Sequence, residues 1–149
     1  MIDLLTINDP EGEYPKSYYK STVNIQKPLP ALQENIQCQI CIIGAGFTGL
    51  SAALSLSDLG YESVILEANR IGFGASGRNG GQVGSGQRWD QEKLEMHFGF
   101  KDAQIFWNIA EEAKKEVFSR IKRHGIGCDY NSGVIQAALN QKDVLDSYD

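Results

Sequence analysis

Between Gln39 and Glu67 an apolar run, a glycine turn, a second apolar run and an acid follow one another, and few folds accept that order. Gln39 to Ile43 reads as a short buried strand that runs into Gly44-Ala45-Gly46-Phe47-Thr48-Gly49. Gly44 lets the chain leave the strand in a turn that a Cβ would obstruct. Gly46 brings bare backbone up to a ligand phosphate, and Gly49 lets a helix pack closely on the strand. Leu50, Ala53 and Leu54, with Ala52, Leu56 and Leu59, supply apolar faces for a helix starting near Phe47, and Gly60 stands where a glycine would end it. Ser63 to Leu66 is the second strand and delivers Glu67 at its carboxyl end. This is the layout of a dinucleotide site, with a diphosphate on the free N–H groups and positive dipole end of the helix. Glu67 follows Gly44 by 23 positions, near the ~20 expected of the acid that holds the ribose hydroxyls. A carboxylate there would repel a 2′-phosphate, which disfavours NADP.

A second glycine cluster needs its own explanation. Seven of the 16 glycines fall between Gly72 and Gly86, and so many unrestrained residues cost backbone entropy unless bare backbone is used. A ligand lying flat against it is one use; a flexible surface loop is the alternative. Arg78 in this cluster either offsets phosphate charge or braces the loop.

The residues Ile43 to Ala53, then Leu66-Glu67-Ala68, then Ile71-Gly72-Phe73-Gly74-Ala75-Ser76-Gly77-Arg78-Asn79-Gly80-Gly81-Gln82, resemble the N-terminal third of the D-amino-acid-oxidase-like flavoproteins. Within them the chain most resembles the gamma-glutamylputrescine oxidoreductase branch of bacterial amine oxidases. The likeness runs from about Tyr14 onward and is densest between Cys41 and Gln82. It implies an α/β fold: a Rossmann-like FAD-binding βαβ unit, incomplete here, followed by the start of a mixed α+β substrate domain.

The same resemblance narrows the dinucleotide to FAD and implies roles residue by residue. Gly44, Gly46, Phe47, Thr48 and Gly49 would surround the pyrophosphate. Glu67 would hold the adenosine ribose, with Ala68 beside it near the adenine. Gly74, Ala75 and Ser76 would line the phosphate and ribityl region, with Arg78 beside them. Asn79, Gly80, Gly81 and Gln82 would pass close to the flavin ring. Members of the family oxidise a C–N bond: hydride leaves the α-carbon of a neutral amine for the flavin, and the imine hydrolyses to aldehyde and ammonia. Oxygen then takes the electrons as hydrogen peroxide.

Composition bounds the alternatives. A chain of 149 residues can bury one modest core. The net charge of −5 speaks against nonspecific nucleic-acid binding. Met1 to Thr6 carries an acid early and no sustained apolar run, so neither a signal peptide nor a membrane span is expected, and the expected location is the cytoplasm. All four prolines lie at or before Pro30, among Tyr14, Tyr18 and Tyr19. Residues 1–37 therefore read as an irregular arm lying across a folded body, which is where the family places one. Residues 38–100 read as the Rossmann-like part, and 101–149 as a helix and the start of the substrate domain.

Cys38-Gln39-Ile40-Cys41 has the spacing of a redox pair or half a zinc site. Positions three apart on a strand point to opposite faces, so ordinary strand packing is expected and no metal is assigned. Three thiols without a framework fit a reducing compartment. Lys101 to His124 reads as an amphipathic helix with Ile105, Ile109, Ala113, Val117 and Ile121 recurring every fourth residue, flanked by Phe106, Ala110 and Phe118. Glu111 with Lys115 and Glu116 with Arg120 are favourable pairs, and Arg120, Lys122, Arg123 and His124 suit the C-terminal dipole before Gly125. Asp129 to Leu139 suggests a hairpin turned at Asn131-Ser132-Gly133, with a polar helix from near Gln141. His97 has no acid or nucleophile at motif spacing and reads as a packed histidine, so no catalytic residue is named.

Complete members of the family are longer. The expectation is an N-terminal piece with exposed strand edges, able to self-associate, binding FAD weakly or not at all and not turning over an amine or amino-acid substrate alone. An NAD-binding Rossmann protein and a non-catalytic interaction fragment are the competing readings.

Overall fold

The structure is a computed structural model that describes residues 13–14, 16–23, 28–135, 137–138 and 141. The chain divides into two compact units, Met1–Gln82 and Val83–Asp149.

In the first unit a short helix, α1 (Tyr18–Thr22), starts inside the arm that the prolines marked as irregular. Ser17 nucleates it by accepting the Lys20 N–H at 3.2 Å. The strand β1 (Ile40–Ile43), the helix α2 (Phe47–Asp58) and the strand β2 (Ser63–Leu66) follow, as the local pattern predicts. β1 and β2 pair in parallel, from Ile40 opposite Ser63 to Ile43 opposite Leu66. The pairing continues one step further, where the Gly44 N–H donates to the Leu66 carbonyl at 2.7 Å. α2 covers this sheet with Leu50, Ala53 and Leu56, while Leu54 and Leu59 remain exposed. It ends as Gly60 predicts, at positive φ, with Gly60 N–H on Ser57 O and Tyr61 N–H on Leu56 O, which satisfies the last carbonyls. Among the described residues no third strand joins the pair, so both strands are edges, and Ile43 is 80% exposed.

The cysteines depart from expectation. Cys38 precedes β1, and Cys41 lies on its open side, because alternation gives the covered side to Ile40 and Ile42. Both thiols are free and exposed rather than packed, as is Cys128.

The second unit is helical. Asp90 starts α3 (Gln91–Phe98) by accepting the Lys93 N–H at 2.7 Å, an N-cap that the hydrophobic pattern alone did not reveal. Gly99, at φ +80°, breaks the chain between α3 and α4 (Phe100–His124). Ala103 is fully buried and Leu94 nearly so, and the small side chain of Ala103 lets α3 and α4 approach closely. Phe98 meets Phe106 edge-on at 5.3 Å, and His97 packs edge-on against Phe98 at 4.7 Å and Trp89 at 5.5 Å. Gly125, left-handed at φ +59°, terminates α4 as predicted.

Which face of α4 is covered differs from the expectation. Ile105, Ile109 and Val117 are exposed, and the covered side carries Ala103, Phe106, Ala110 and Phe118. The period of the apolar residues fixes the existence of a stripe. The side that packs is chosen by α3 and by Tyr130, whose ring lies 4.9 Å from that of Phe118. The acid–base pairs shift likewise. Glu116 and Arg120 pair at 2.6 Å, but Glu111 pairs with Lys114 at 2.8 Å instead of Lys115.

A hydrogen bond from Lys114, then one from Ser85, holds the Glu111 carboxyl below the usual carboxylate range. A carboxyl with a lowered folded pKa stabilises the fold above its unfolded value and loses that contribution as pH falls through the folded one. Acidification through the lowered Glu111 value is therefore expected to weaken its hydrogen bonds to Lys114 and Ser85, read as a change in the side-chain NMR signals of those two residues. Glu111→Gln should remove that pH dependence.

No strand forms from 126 to 135, so the hairpin expected at Asn131-Ser132-Gly133 is absent there. A two-stranded hairpin needs a packing surface to persist, and no strand partner stands beside these residues among those described. Asn131 instead closes a local turn by donating to the Asp129 carbonyl at 3.1 Å. Gln136, Leu139 and the helix beyond Gln141 fall outside the described residues, as do Met1 to Thr6. No helix among the described residues is long and apolar enough to cross a membrane.

Candidate cofactor site

The site sits where β1 gives way to α2. Gly44 turns the chain at φ +97°, a conformation that side chains disfavour. A Cβ on Gly49 would stand 2.0 Å from the Gly44 carbonyl oxygen, so the first turn of α2 touches the strand end only because this residue is glycine. The amides of Thr48 and Gly49 have no acceptor within their own helix, which leaves donors and the positive dipole end at the mouth of the turn.

Glu67 reaches back across this turn. One carboxylate oxygen accepts the Ala45 N–H at 2.7 Å, and the other accepts the Asn69 N–H at 2.9 Å. The acid therefore shapes the glycine loop from the end of β2. A carboxylate offers about four acceptor positions, so two remain for ribose hydroxyls. Ala68 follows it on the exposed surface.

The second glycine cluster closes on the first. The Gly72 N–H donates to the Ala45 carbonyl at 2.9 Å, and the Ser76 hydroxyl accepts the Phe47 N–H at 2.9 Å. Ser76 lies in a single turn of 3₁₀ helix, Ala75–Gly77. Asn79 then folds the chain over, donating to the Ser76 carbonyl at 2.7 Å and accepting the Gly81 N–H at 2.9 Å. Phe47, Ala75, Ser76, Asn79, Gly80 and Gln82 line one open concavity of about 320 Å³. Such a volume is at the small end of the ~300–1,000 Å³ typical of small-molecule sites.

Bare backbone in this loop has more than one cause. A Cβ on Gly77 would strike the Gly72 carbonyl oxygen at 2.2 Å, so that glycine serves packing. Gly74 is different: its φ is −74°, and a Cβ there would meet nothing within 4 Å. No neighbouring atom excludes a side chain at Gly74, and open space above bare backbone is what a flat-lying cofactor needs. The donor-rich helix end, the acid with spare acceptor sites and the cradle at Gly74 together fit FAD.

Arg78 takes the bracing geometry of its two alternatives. Its Nε donates to the Phe73 carbonyl at 2.9 Å and its guanidinium lies 4.8 Å from the Phe73 ring centre. Arg78→Met is therefore expected to destabilise the first unit by about 1–2 kcal/mol. Thermal unfolding of the variant would check it.

Two residues that matter here were not singled out from the sequence. Ala45 is buried at 2% exposure and offers both its backbone groups, one to Glu67 and one to Gly72. Phe73 is buried beneath Arg78. A large apolar residue inside a glycine run was the available signal for the second.

The chain matches the family model described as DAO, FAD dependent oxidoreductase, over residues 39–149. It is 42% identical over 130 residues to Gamma-glutamylputrescine oxidoreductase of Escherichia coli (strain K12), covering 87% of this chain and 30% of that protein. It is 38% identical over 130 residues to Probable oxidoreductase OrdL of Haemophilus influenzae, with the same coverage, and 37% identical over 117 residues to Probable oxidoreductase OrdL of Rhizobium meliloti. The chain thus spans about 30% of the length of these curated relatives, and aligns with part of each. No solved structure matches it. With the glycine turn, the acid of β2 and the Gly74–Gln82 loop matched by a family model covering most of its length, the chain belongs to the DAO family of FAD-dependent oxidoreductases.

Proposed function

We propose that this chain is the FAD-binding N-terminal part of an enzyme that oxidises the C–N bond of an amine or amino acid. A gamma-glutamylputrescine-like amine is the substrate class favoured by the named relative. The observation that carries the reading is the bond from the Phe47 N–H to Ser76, which closes the second glycine cluster onto the open end of α2. Bound FAD supplies the hydride acceptor. The protein groups bind and orient it: Thr48 and Gly49 amides toward the pyrophosphate, Glu67 toward the ribose, and the Asn79–Gln82 turn beside the ring.

Residues 101–149 belong, in this reading, to the approach to a mixed α+β substrate domain, and the location is cytoplasmic. Hydrogen peroxide is the product of reoxidation by oxygen. This chain by itself binds FAD weakly and does not turn over, because it spans about 30% of its relatives. The edges of β1 and β2 and the exposed Ile43 support self-association, which light scattering would reveal as dimers or larger species.

The test is an equilibrium titration of the purified chain with FAD, read as quenching of flavin emission. Saturable quenching supports the reading. Saturable binding of NAD in a parallel titration, with none of FAD, would replace it with a nicotinamide-binding one. Sustained amine-dependent peroxide formation would overturn the claim that the chain alone is inactive.

A further inference from the structure

Among the described residues, the arm ahead of β1 is bonded to the cofactor loop through Tyr14, and that junction is built from several contacts. Lys20, held in α1 behind its Ser17 cap, donates its ammonium to the Tyr14 carbonyl at 3.3 Å. Tyr14 in turn donates its hydroxyl to the Ile71 carbonyl at 2.8 Å, across 57 positions of sequence. The Tyr14 ring stands 6.2 Å from the ring of Phe73, and the Arg70 guanidinium lies 5.9 Å from the Tyr14 ring centre. Phe73 is buried and carries Arg78 on its other contact, at 4.8 Å from the ring centre. Arg70, Tyr14, Phe73 and Arg78 thus form a continuous series of ring and cation contacts from the arm to the middle of the second glycine cluster.

This series bears on a segment that is hydrogen-bonded along its backbone but holds little buried side-chain mass. Phe73 is the only buried side chain between Ile71 and Gln82, and the intervening residues are mostly glycine, alanine or exposed polar groups. Glycine backbone is conformationally free, so its shape must be imposed from outside. On one side the Ala45 carbonyl takes the Gly72 N–H. On the other, Tyr14 holds the carbonyl of the preceding residue, Ile71. The turn that launches the loop is therefore gripped from both sides.

We propose that Tyr14 is a positioning residue for the cofactor loop: it clamps the Arg70–Phe73 turn, so that Gly74 to Gln82 is presented in its binding form before the cofactor arrives. The proposal rests on the FAD reading for the identity of the ligand, but the clamp can be measured without it. Preorganisation raises affinity by removing the ordering cost from the binding step.

Hydrogen–deuterium exchange on this chain tests the clamp, using the amides of Gly72, Phe73, Gly77 and Arg78, all hydrogen-bonded within the loop region. Tyr14→Phe keeps the ring and loses only the hydroxyl. It is expected to speed exchange at these amides roughly two- to tenfold, the range for one neutral hydrogen bond. Tyr14→Ala loses the ring as well and should exceed that. The amides of β1 and β2 should exchange as in the parent chain. Unchanged loop exchange in both variants overturns the proposal. Acceleration shared equally by β1 and β2 also overturns it, since that is plain loss of stability.

Flavin titration of the same three proteins separates the two claims. Binding by the parent chain with FAD affinity weakened in the order Phe, then Ala, supports both. Binding by the parent with affinity unchanged in both variants overturns the positioning role. No flavin binding by the parent counts against the FAD reading, and the exchange pattern alone then decides the clamp.

Discussion

Gly49→Val is expected to destabilise the first unit by about 3 kcal/mol, at the upper end of overpacking costs. The new Cβ would lie 2.0 Å from the Gly44 carbonyl oxygen, which is backbone and cannot swing aside as a side chain would. Either α2 lifts from β1 or the Gly44 turn deforms, and the Gly44 N–H bond to Leu66 goes with it. Urea unfolding followed by far-UV circular dichroism would show a lower midpoint for the variant. Gly74→Ala is the informative companion. Its Cβ meets nothing within 4 Å, so stability should stay within about 0.5 kcal/mol of the parent. Flavin affinity should nevertheless fall, because the methyl group occupies the cradle. A Gly74→Ala chain that binds flavin as the parent does would remove the cradle argument.

Glu67→Gln is expected to weaken flavin binding about a hundredfold and to cost the apo chain about 2 kcal/mol. Hydrogen bonds to charged groups contribute about 1.5–3 kcal/mol each. The carboxylate accepts two backbone N–H groups, from Ala45 and Asn69. An amide can accept only one of them, and its NH₂ would face the other donor. The defect is therefore larger than loss of a charge, and it reaches the glycine loop directly through Ala45. Quenching of flavin emission gives the affinity, and thermal unfolding of the apo chain gives the stability. If affinity falls while apo stability does not, the carboxylate acts on the cofactor alone and its bond to Ala45 is incidental.

The glycine turn and its acid were legible from sequence, because Gly44, Gly49 and Glu67 act through steric and electrostatic demands that allow one residue type, or nearly so, at a set distance along the chain. β1, α2 and β2 were legible for a related reason: their periods and the Gly60 stop are local, and a parallel pair joined by one helix leaves little choice of arrangement. The end of α4 at Gly125 is local in the same sense.

Contacts between distant segments were a different matter. The Phe47 N–H meets Ser76 across 29 positions, and Tyr14 meets Ile71 across 57. No periodicity encodes such a pairing. The short helix at Tyr18 and the N-cap of α3 were readable in principle from Ser17 and Asp90, yet single capping residues are too common in loops to stand out.

What the sequence by itself determined about this protein is a parallel strand pair wrapped on a glycine-led helix, an acid at the end of the second strand, and membership of a flavoprotein family. Those features depend on residue types at short spacing. Only the tertiary structure decided that Ser76 joins the two glycine clusters, that Arg78 braces Phe73, and that α4 buries its Ala103–Phe118 side while Ile105, Ile109 and Val117 stay exposed. The physical reason is that a side chain's partner is set by what the fold brings beside it. An amphipathic stripe or an arginine carries its chemistry in the sequence, but not its neighbour.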